Sequence, residues 1–251
     1  MSAGGSVVVV AGVGSGLGSA VVGALASEGN TVVGWARGAG SLEALRAHAQ
    51  ARGWRFHPRQ VDLREQGQVD AAVQAAVSEL GRIDGFALTA GHWLGGATRL
   101  HELDEREWSE ALADNLEPAF RSLRRVLPVM MAQHHGSVVL VSAAEGVRRA
   151  GSASYAAAKA GLIELTYQLA GECRPHGIRV NAVLPGNMGR GVALDPPDLR
   201  GPVPLRTESA SAPWEVARCV RFLLSDESRW ITGAAVPVDG GLSTRGAQPP
   251  G

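Results

Sequence analysis

Five apolar residues, Val7–Ala11, run straight into Gly12-Val13-Gly14-Ser15-Gly16-Leu17-Gly18. An unbroken apolar run of this length reads as a strand covered on both faces, because neither face has alternate polar residues to give to water. The same kind of segment recurs along the chain. The predicted strands are Val7–Ala11, Thr31–Ala36, Trp54–Gln60, Ile83–Thr89, Ser137–Ser142, Ile178–Leu184 and Ala235–Val238. Between them, helical periodicity covers Leu17–Glu28, Ser41–Arg52, Gln66–Leu80, Glu105–Gln133, Ala153–Cys173 and Trp214–Leu224. Strands alternating with crossovers this long imply an α/β protein: one doubly wound parallel sheet of about seven strands with helices on both faces. No linker divides the chain, so residues 1–251 read as a single domain. Residues 187–213, rich in Gly, Pro and Ser, interrupt the alternation and read as a substrate loop or lid. Residues 243–251 read as a flexible tail.

Charge excludes one large class of partners. Lys+Arg and Asp+Glu both number 24, for a formal net charge of +0. No bulk positive field draws in phosphates, so a nucleic-acid partner is not expected. Cys173 and Cys219 are too few for a disulfide framework and lack metal-ligand spacing, which suits a reducing cytoplasm and no metal. Val7–Ala11 is too short to span a bilayer, and no stretch reaches 18 uninterrupted apolar residues, so no membrane partner is expected. One number is odd: of the 24 basic residues only Lys159 is a lysine.

The glycine-rich turn is a candidate phosphate site. Glycines let the backbone approach a pyrophosphate, and the helix that follows presents free N–H groups and a favourable dipole. Gly12, Gly14, Ser15, Gly16, Leu17 and Gly18 are therefore candidate cofactor contacts on a Rossmann-type sheet. An acidic residue at the end of the second strand would bond a ribose 2′-hydroxyl, and a basic one a 2′-phosphate. Here that strand ends Gly34-Trp35-Ala36-Arg37. Arg37 favours NADP(H), with NAD(H) possible and a solvated arginine the alternative.

Tyr155-Ala156-Ala157-Ala158-Lys159 opens a helical pattern. Residues four apart share a helix face, so phenol and ammonium project together. A neighbouring cation favours the phenolate, and the pair can exchange a proton with a substrate oxygen. Ser142 lies thirteen residues before Tyr155, with a hydroxyl for the same oxygen. Arg148 and Arg149, between them, read as a solvated loop or as contacts to an anionic substrate.

Gly12/Gly16/Gly18, Asn115 in NLEPAF, Ser142, Tyr155, Lys159, IRVNAVLPG and WITGAAVPVDGG occur in one order and spacing. Together they resemble the short-chain dehydrogenase/reductase family, in its 3-oxoacyl-(acyl carrier protein) reductase-like branch, over about residues 6–242. The resemblance implies hydride transfer between NADP(H) and a ketone or secondary alcohol. Tyr155 would be general acid or base, Lys159 would hold the nicotinamide ribose and lower the phenol pKa, and Ser142 would orient the carbonyl. Asn115 would hold a relay water. Asp62, Leu63, Ala90, Gly91, Pro185 and Gly186 would join the cofactor contacts, and His92 and Trp93 would line the substrate pocket. A homotetramer or dimer is implied as well.

Several residues depart from the family pattern. Ala11 stands for Thr, Leu88-Thr89 for Asn-Asn, and Arg190 for a Thr near the carboxamide. Counted forward from Asn115, the serine slot falls on Ala143; counted back from Tyr155, on Ser142, which alone has a hydroxyl. Two other readings stay open: a non-catalytic NAD(P)-binding sensor or scaffold, and a cofactor-independent lyase or dehalogenase. Lys159 and the retained glycines count against the latter. His134-His135 cannot face one metal on a helix.

Overall fold

A computed structural model describes residues 5–94, 98–188, 194–197 and 213–244. β1 (Val7–Ala11), β2 (Thr31–Ala36), β3 (Phe56–Gln60), β4 (Gly85–Leu88), β5 (Gly136–Val141), β6 (Ile178–Pro185) and β7 (Ala235–Val238) form one parallel sheet in the order β3-β2-β1-β4-β5-β6-β7. The chain winds outward from β1 one way and from β4 the other, so a crevice opens where their C-terminal ends part. The helices are α1 (Leu17–Ala26), α2 (Ala39–Arg52), α3 (Gln66–Leu80), α4 (Glu105–Asn115), α5 (Glu117–Gln133), α6 (Glu145–Ala150), α7 (Ala153–Cys173) and α8 (Pro213–Leu224).

The all-apolar strands divide their side chains between two cores, as the pleat requires. Val9, Trp35, Phe86, Leu140 and Leu162 belong to one, Val10, Val21, Val139 and Val220 to the other. Pro58 and Pro237 lie on the edge strands β3 and β7, where a missing N–H costs the ladder least.

The predicted single helix over Glu105–Gln133 is two helices. The break falls at Leu116, with φ −122° and ψ −50°. Pro118 explains it: with no N–H it cannot bond back to the preceding turn, and its ring crowds the carbonyl there. The break has a consequence for the site, because it fixes Asn115 at the end of α4. Two further differences are α6, which the sequence did not suggest, and the chain end. Leu242–Thr244 forms a 3-10 turn held by Asp239, which accepts from Ser243 N–H at 2.8 Å; residues 245–251 of the expected tail lie outside the described residues. Most of the expected lid and Arg190 lie outside the described residues. His134 has a backbone role, closing α5 as a left-handed cap at φ 53°.

Candidate active site

The glycine turn is tied down at its start and open beyond. The N–H groups of Gly12 and Val13 both donate to Trp35 O at 2.9 Å, which hangs the turn on β2. Gly12 sits at φ 107°, and a Cβ there would lie 2.3 Å from Ala90 N. A Cβ on Gly18 would lie 2.3 Å from Gly12 O, so this glycine allows helix to pack on turn. Gly14 and Gly16 differ: a Cβ on either would meet nothing within 4 Å. Among the described residues the N–H groups of Gly14, Ser15 and Gly16 have no acceptor. The result is an empty cradle of backbone donors at a helix N-terminus, which fits the pyrophosphate of a dinucleotide. Ser19 Oγ donates to Gly14 O at 2.5 Å and holds the cradle in shape. Thr89 keeps the side-chain bonding that Leu88 cannot give: its Oγ1 lies 3.2 Å from Ala11 O and 3.1 Å from Gly12 O.

From this turn a cleft of about 330 Å³ runs along the strand ends, lined by Gly12, Gly14, Arg37, Asp62, Leu63, Ala90, Gly91 and His92 among others. Arg37 is exposed and forms no ion pair among the described residues. Asp62 accepts from Arg64 N–H at 2.9 Å. Most of the expected cofactor set therefore shares one space. Leu17 is buried in the core at the foot of α1. Gly186 lies apart, on a second cavity.

Gly91 lines the cleft, and Asn115 and Lys159 stand against it. A Cβ on Gly91 would lie 2.7 Å from Lys159 Nζ and 3.1 Å from Asn115 Oδ1. Asn115 accepts from His92 N–H at 3.0 Å and donates to Ala111 O at 3.1 Å, pinning the chain after β4 to α4. Lys159 is buried, donates to Val141 O at 3.2 Å, and lies 6.0 Å from the centre of the Tyr155 ring. Ser152 caps α7, its Oγ accepting from Tyr155 N–H at 3.2 Å, which fixes the tyrosine in the first turn. Burial pushes the Tyr155 phenol up to about 12, opposed by the charge of Arg148, and pushes Lys159 down to about 8.

Trp93 meets Tyr155 edge to face with centroids 4.9 Å apart. It also walls the second cavity, about 280 Å³, with Ala144, Val147, Ala150, Gly186 and Leu242 among others. Gly186 is held there by its N–H to Val238 O at 3.1 Å, and Pro185 O accepts from Ala144 N–H at 2.7 Å.

Ser142 does not join this group. Its side chain is 4% exposed and its hydroxyl donates to Lys159 O at 2.6 Å. The pleat explains the correction: Ser142 continues the alternation of Val138 and Leu140, onto the face that α7 covers. In this arrangement the hydroxyl faces Lys159 O rather than the cavity. Arg148, for which the sequence leaves both a solvated loop and a contact to an anionic substrate open, lies on α6 with its Nη1 donating to Ala143 O at 2.5 Å. Its position on α6, a helix the sequence did not suggest, is the missing signal.

A doubly wound sheet, a glycine cradle at its switch point and a buried tyrosine–lysine pair beside the cradle define an NAD(P)-dependent oxidoreductase. The short chain dehydrogenase family matches residues 6–193. The chain is 33% identical over 245 residues to the 3-oxoacyl-[acyl-carrier-protein] reductase FabG of Thermotoga maritima, covering 95% of this chain and 98% of that protein. It is 34% identical over 252 residues to levodione reductase of Leifsonia aquatica, covering 94% of each. The crystal structure of levodione reductase superposes with a TM-score of 0.83 at 32% identity, covering 96% and 98% of the two chains. That of actinorhodin polyketide ketoreductase with NADPH gives 0.82 at 26% identity, covering 95% and 97%. The chain belongs to the short-chain dehydrogenase/reductase family, in the branch that resembles 3-oxoacyl-(acyl carrier protein) reductase. Among the described residues no helix is long and apolar enough to cross a membrane.

Proposed function

We propose that this protein interconverts a small ketone and its secondary alcohol with NADP(H), using Tyr155 as the proton donor in reduction and acceptor in oxidation. The observation that carries the reading is the buried Tyr155–Lys159 pair, with Gly91, which lines the cleft, leaving its Cα bare against the ammonium. When bound, the nicotinamide cofactor supplies or receives the hydride. The chain's own residues govern everything else. Gly12–Gly18 and the α1 N-terminus hold the pyrophosphate. Arg37 lines the cleft without an ion pair among the described residues and would meet a 2′-phosphate, which supports NADP(H) over NAD(H); Asp62 and Leu63 would border the adenine. Lys159 carries a charge near neutral pH that favours the Tyr155 phenolate and holds the ribose. Asn115 continues the proton path behind Lys159. Trp93 packs edge to face on the Tyr155 ring and holds it in place.

The second cavity has mostly apolar walls, which supports a compact carbonyl compound as substrate. The cytoplasm is the compartment that fits two cysteines without a disulfide.

The test is steady-state reduction of a ketone panel with NADPH, beside Tyr155→Phe. Turnover by the wild type and loss of about 10²–10⁴-fold in the variant are expected. Full activity in Tyr155→Phe sinks the mechanism. Tight NADPH binding with no turnover on any ketone would favour a sensor instead.

A further inference from the structure

Ketone reduction builds negative charge on the carbonyl oxygen, and an enzyme gains most by aiming fixed donors at that oxygen. Tyr155 supplies one. The donor expected beside it is absent: the Ser142 hydroxyl is turned to Lys159 O at 2.6 Å, and the next residue, Ala143, has no polar side chain. We propose that Arg148 fills this place, its guanidinium donating to the substrate oxygen beside the Tyr155 hydroxyl. The proposal rests on the ketone-reducing reading above and adds a catalytic residue to it.

Three observations carry it. First, Arg148 folds back onto the exit of β5: its Nη1 donates to Ala143 O at 2.5 Å. Ala143 is the residue on which the forward count from Asn115 places the serine, so the guanidinium is anchored on the main chain of that residue. One of five N–H donors is engaged there, which leaves the rest of the planar fork for a ligand. Second, Arg148 is half-buried yet forms no ion pair among the described residues, while its neighbour Arg149 is exposed and paired with Glu145 at 2.5 Å. The remaining N–H donors of Arg148 are therefore not committed to a carboxylate. Third, α6 presents Gly146, Val147 and Ala150 to the cavity walled by Trp93, which itself packs on Tyr155. The charge of Arg148 is also the one that opposes burial at the Tyr155 phenol.

The step balances without a further reactant. When bound, the reduced nicotinamide would supply the hydride that the carbonyl carbon takes up. The π pair moves to oxygen, which takes the Tyr155 proton and leaves the phenolate. Arg148 gives up no proton; its hydrogen bonds strengthen as the oxygen gains charge.

The experiment compares wild type, Arg148→Met and Arg148→Met/Ala143→Ser in NADPH-dependent ketone reduction, with NADPH binding followed by fluorescence. Arg148→Met is expected to lose about 10²–10³-fold in kcat, with NADPH Kd and ketone KM little changed. Adding Ala143→Ser restores a hydroxyl donor and is expected to recover roughly tenfold or more. If Arg148→Met does not fold, Arg148→Lys replaces it, with the same direction and the same rescue. Wild-type kcat without Arg148, or a loss that Ala143→Ser does not relieve, overturns the proposal. A wild type that binds NADPH and reduces no ketone overturns the reading beneath it, a result distinct from an active enzyme indifferent to Arg148.

Discussion

The hydroxyl of Ser142 donates to the main-chain oxygen of Lys159 at 2.6 Å, inside the protein. The contact ties the exit of β5 to the second turn of α7, so the residue that ends the strand steadies the helix that carries the ammonium. It is a structural bond between elements, and it turns Ser142 away from the cavity that Trp93 and Val147 wall. Ser142→Ala therefore removes one buried hydrogen bond and leaves Lys159 O its helical partner. A loss of about 1 kcal/mol in unfolding free energy is expected. Ketone turnover stays near wild type, in contrast to Tyr155→Phe. Urea denaturation and steady-state rates check the two halves separately, and a collapse of kcat at wild-type stability would return Ser142 to the site.

The two kinds of glycine in the turn separate by mutation. A Cβ on Gly18 would lie 2.3 Å from Gly12 O, whereas one on Gly14 enters open space. Gly18→Ala is expected to destabilise by about 1–3 kcal/mol, because backbone must shift to admit the methyl. Gly14→Ala is expected to melt near wild type yet bind NADPH more weakly, since the methyl occupies the phosphate's approach. Thermal melts with and without NADPH distinguish them: ligand stabilisation shrinks for Gly14→Ala alone.

The sheet was legible because its strands are buried on both faces and read as apolar blocks. The cradle was legible because glycine there is demanded by approach distances. The helix break at Leu116 was harder: the spacing of Leu112, Leu116, Ala119 and Leu123 runs through it, and only Pro118 interrupts the hydrogen bonding. Ser142 against Ala143 could not be resolved by counting, because a single-residue shift in a strand reverses the face and both counts are arithmetically sound. Arg148 was hidden for another reason. Its placement depends on a six-residue helix without hydrophobic periodicity, and on a carbonyl, which no sequence displays.

Lys159 is packed too closely to tolerate its commonest substitute. A Cβ on Gly91 would stand 2.7 Å from Nζ, and Nζ already reaches Val141 O. A guanidinium is broader and cannot keep that position. Lys159→Arg is expected to lose about 10²–10⁴-fold in kcat although its charge is kept. Gly91→Ala should lose activity by displacing the same ammonium. Near-normal rates in Lys159→Arg would mean that charge alone suffices.

Arg37 lines the cleft without an ion partner among the described residues, so its removal disturbs little else. Arg37→Ala is expected to weaken NADPH binding by about 1.5–3 kcal/mol, the contribution of a charged hydrogen bond, while NADH binding changes little. Calorimetry with both cofactors checks this, and equal losses for both would remove Arg37 from cofactor choice.

The burial of Lys159 sets opposite pH trends for activity and stability. Its pKa falls from 10.5 to about 8 because the buried ammonium loses hydration. Below about 8 it is charged and supports Tyr155; above, it is neutral. Ketone reduction is expected to fall as pH rises through this value. Stability runs the other way. Between 8 and 10.5 the unfolded chain holds the proton that the folded chain has lost, so unfolding free energy rises with pH across that window. Below 8 both states are charged, and the folded protein carries the full cost of burying the ammonium. Urea titrations of cofactor-free protein from pH 7 to pH 10 (roughly the span of the shift), with Lys159→Met as the non-titrating reference, isolate this contribution. The difference between wild type and variant should move in favour of the wild type as pH rises. A flat difference would show that the ammonium is hydrated in solution, and the decline in reduction rate would then need another titrating group.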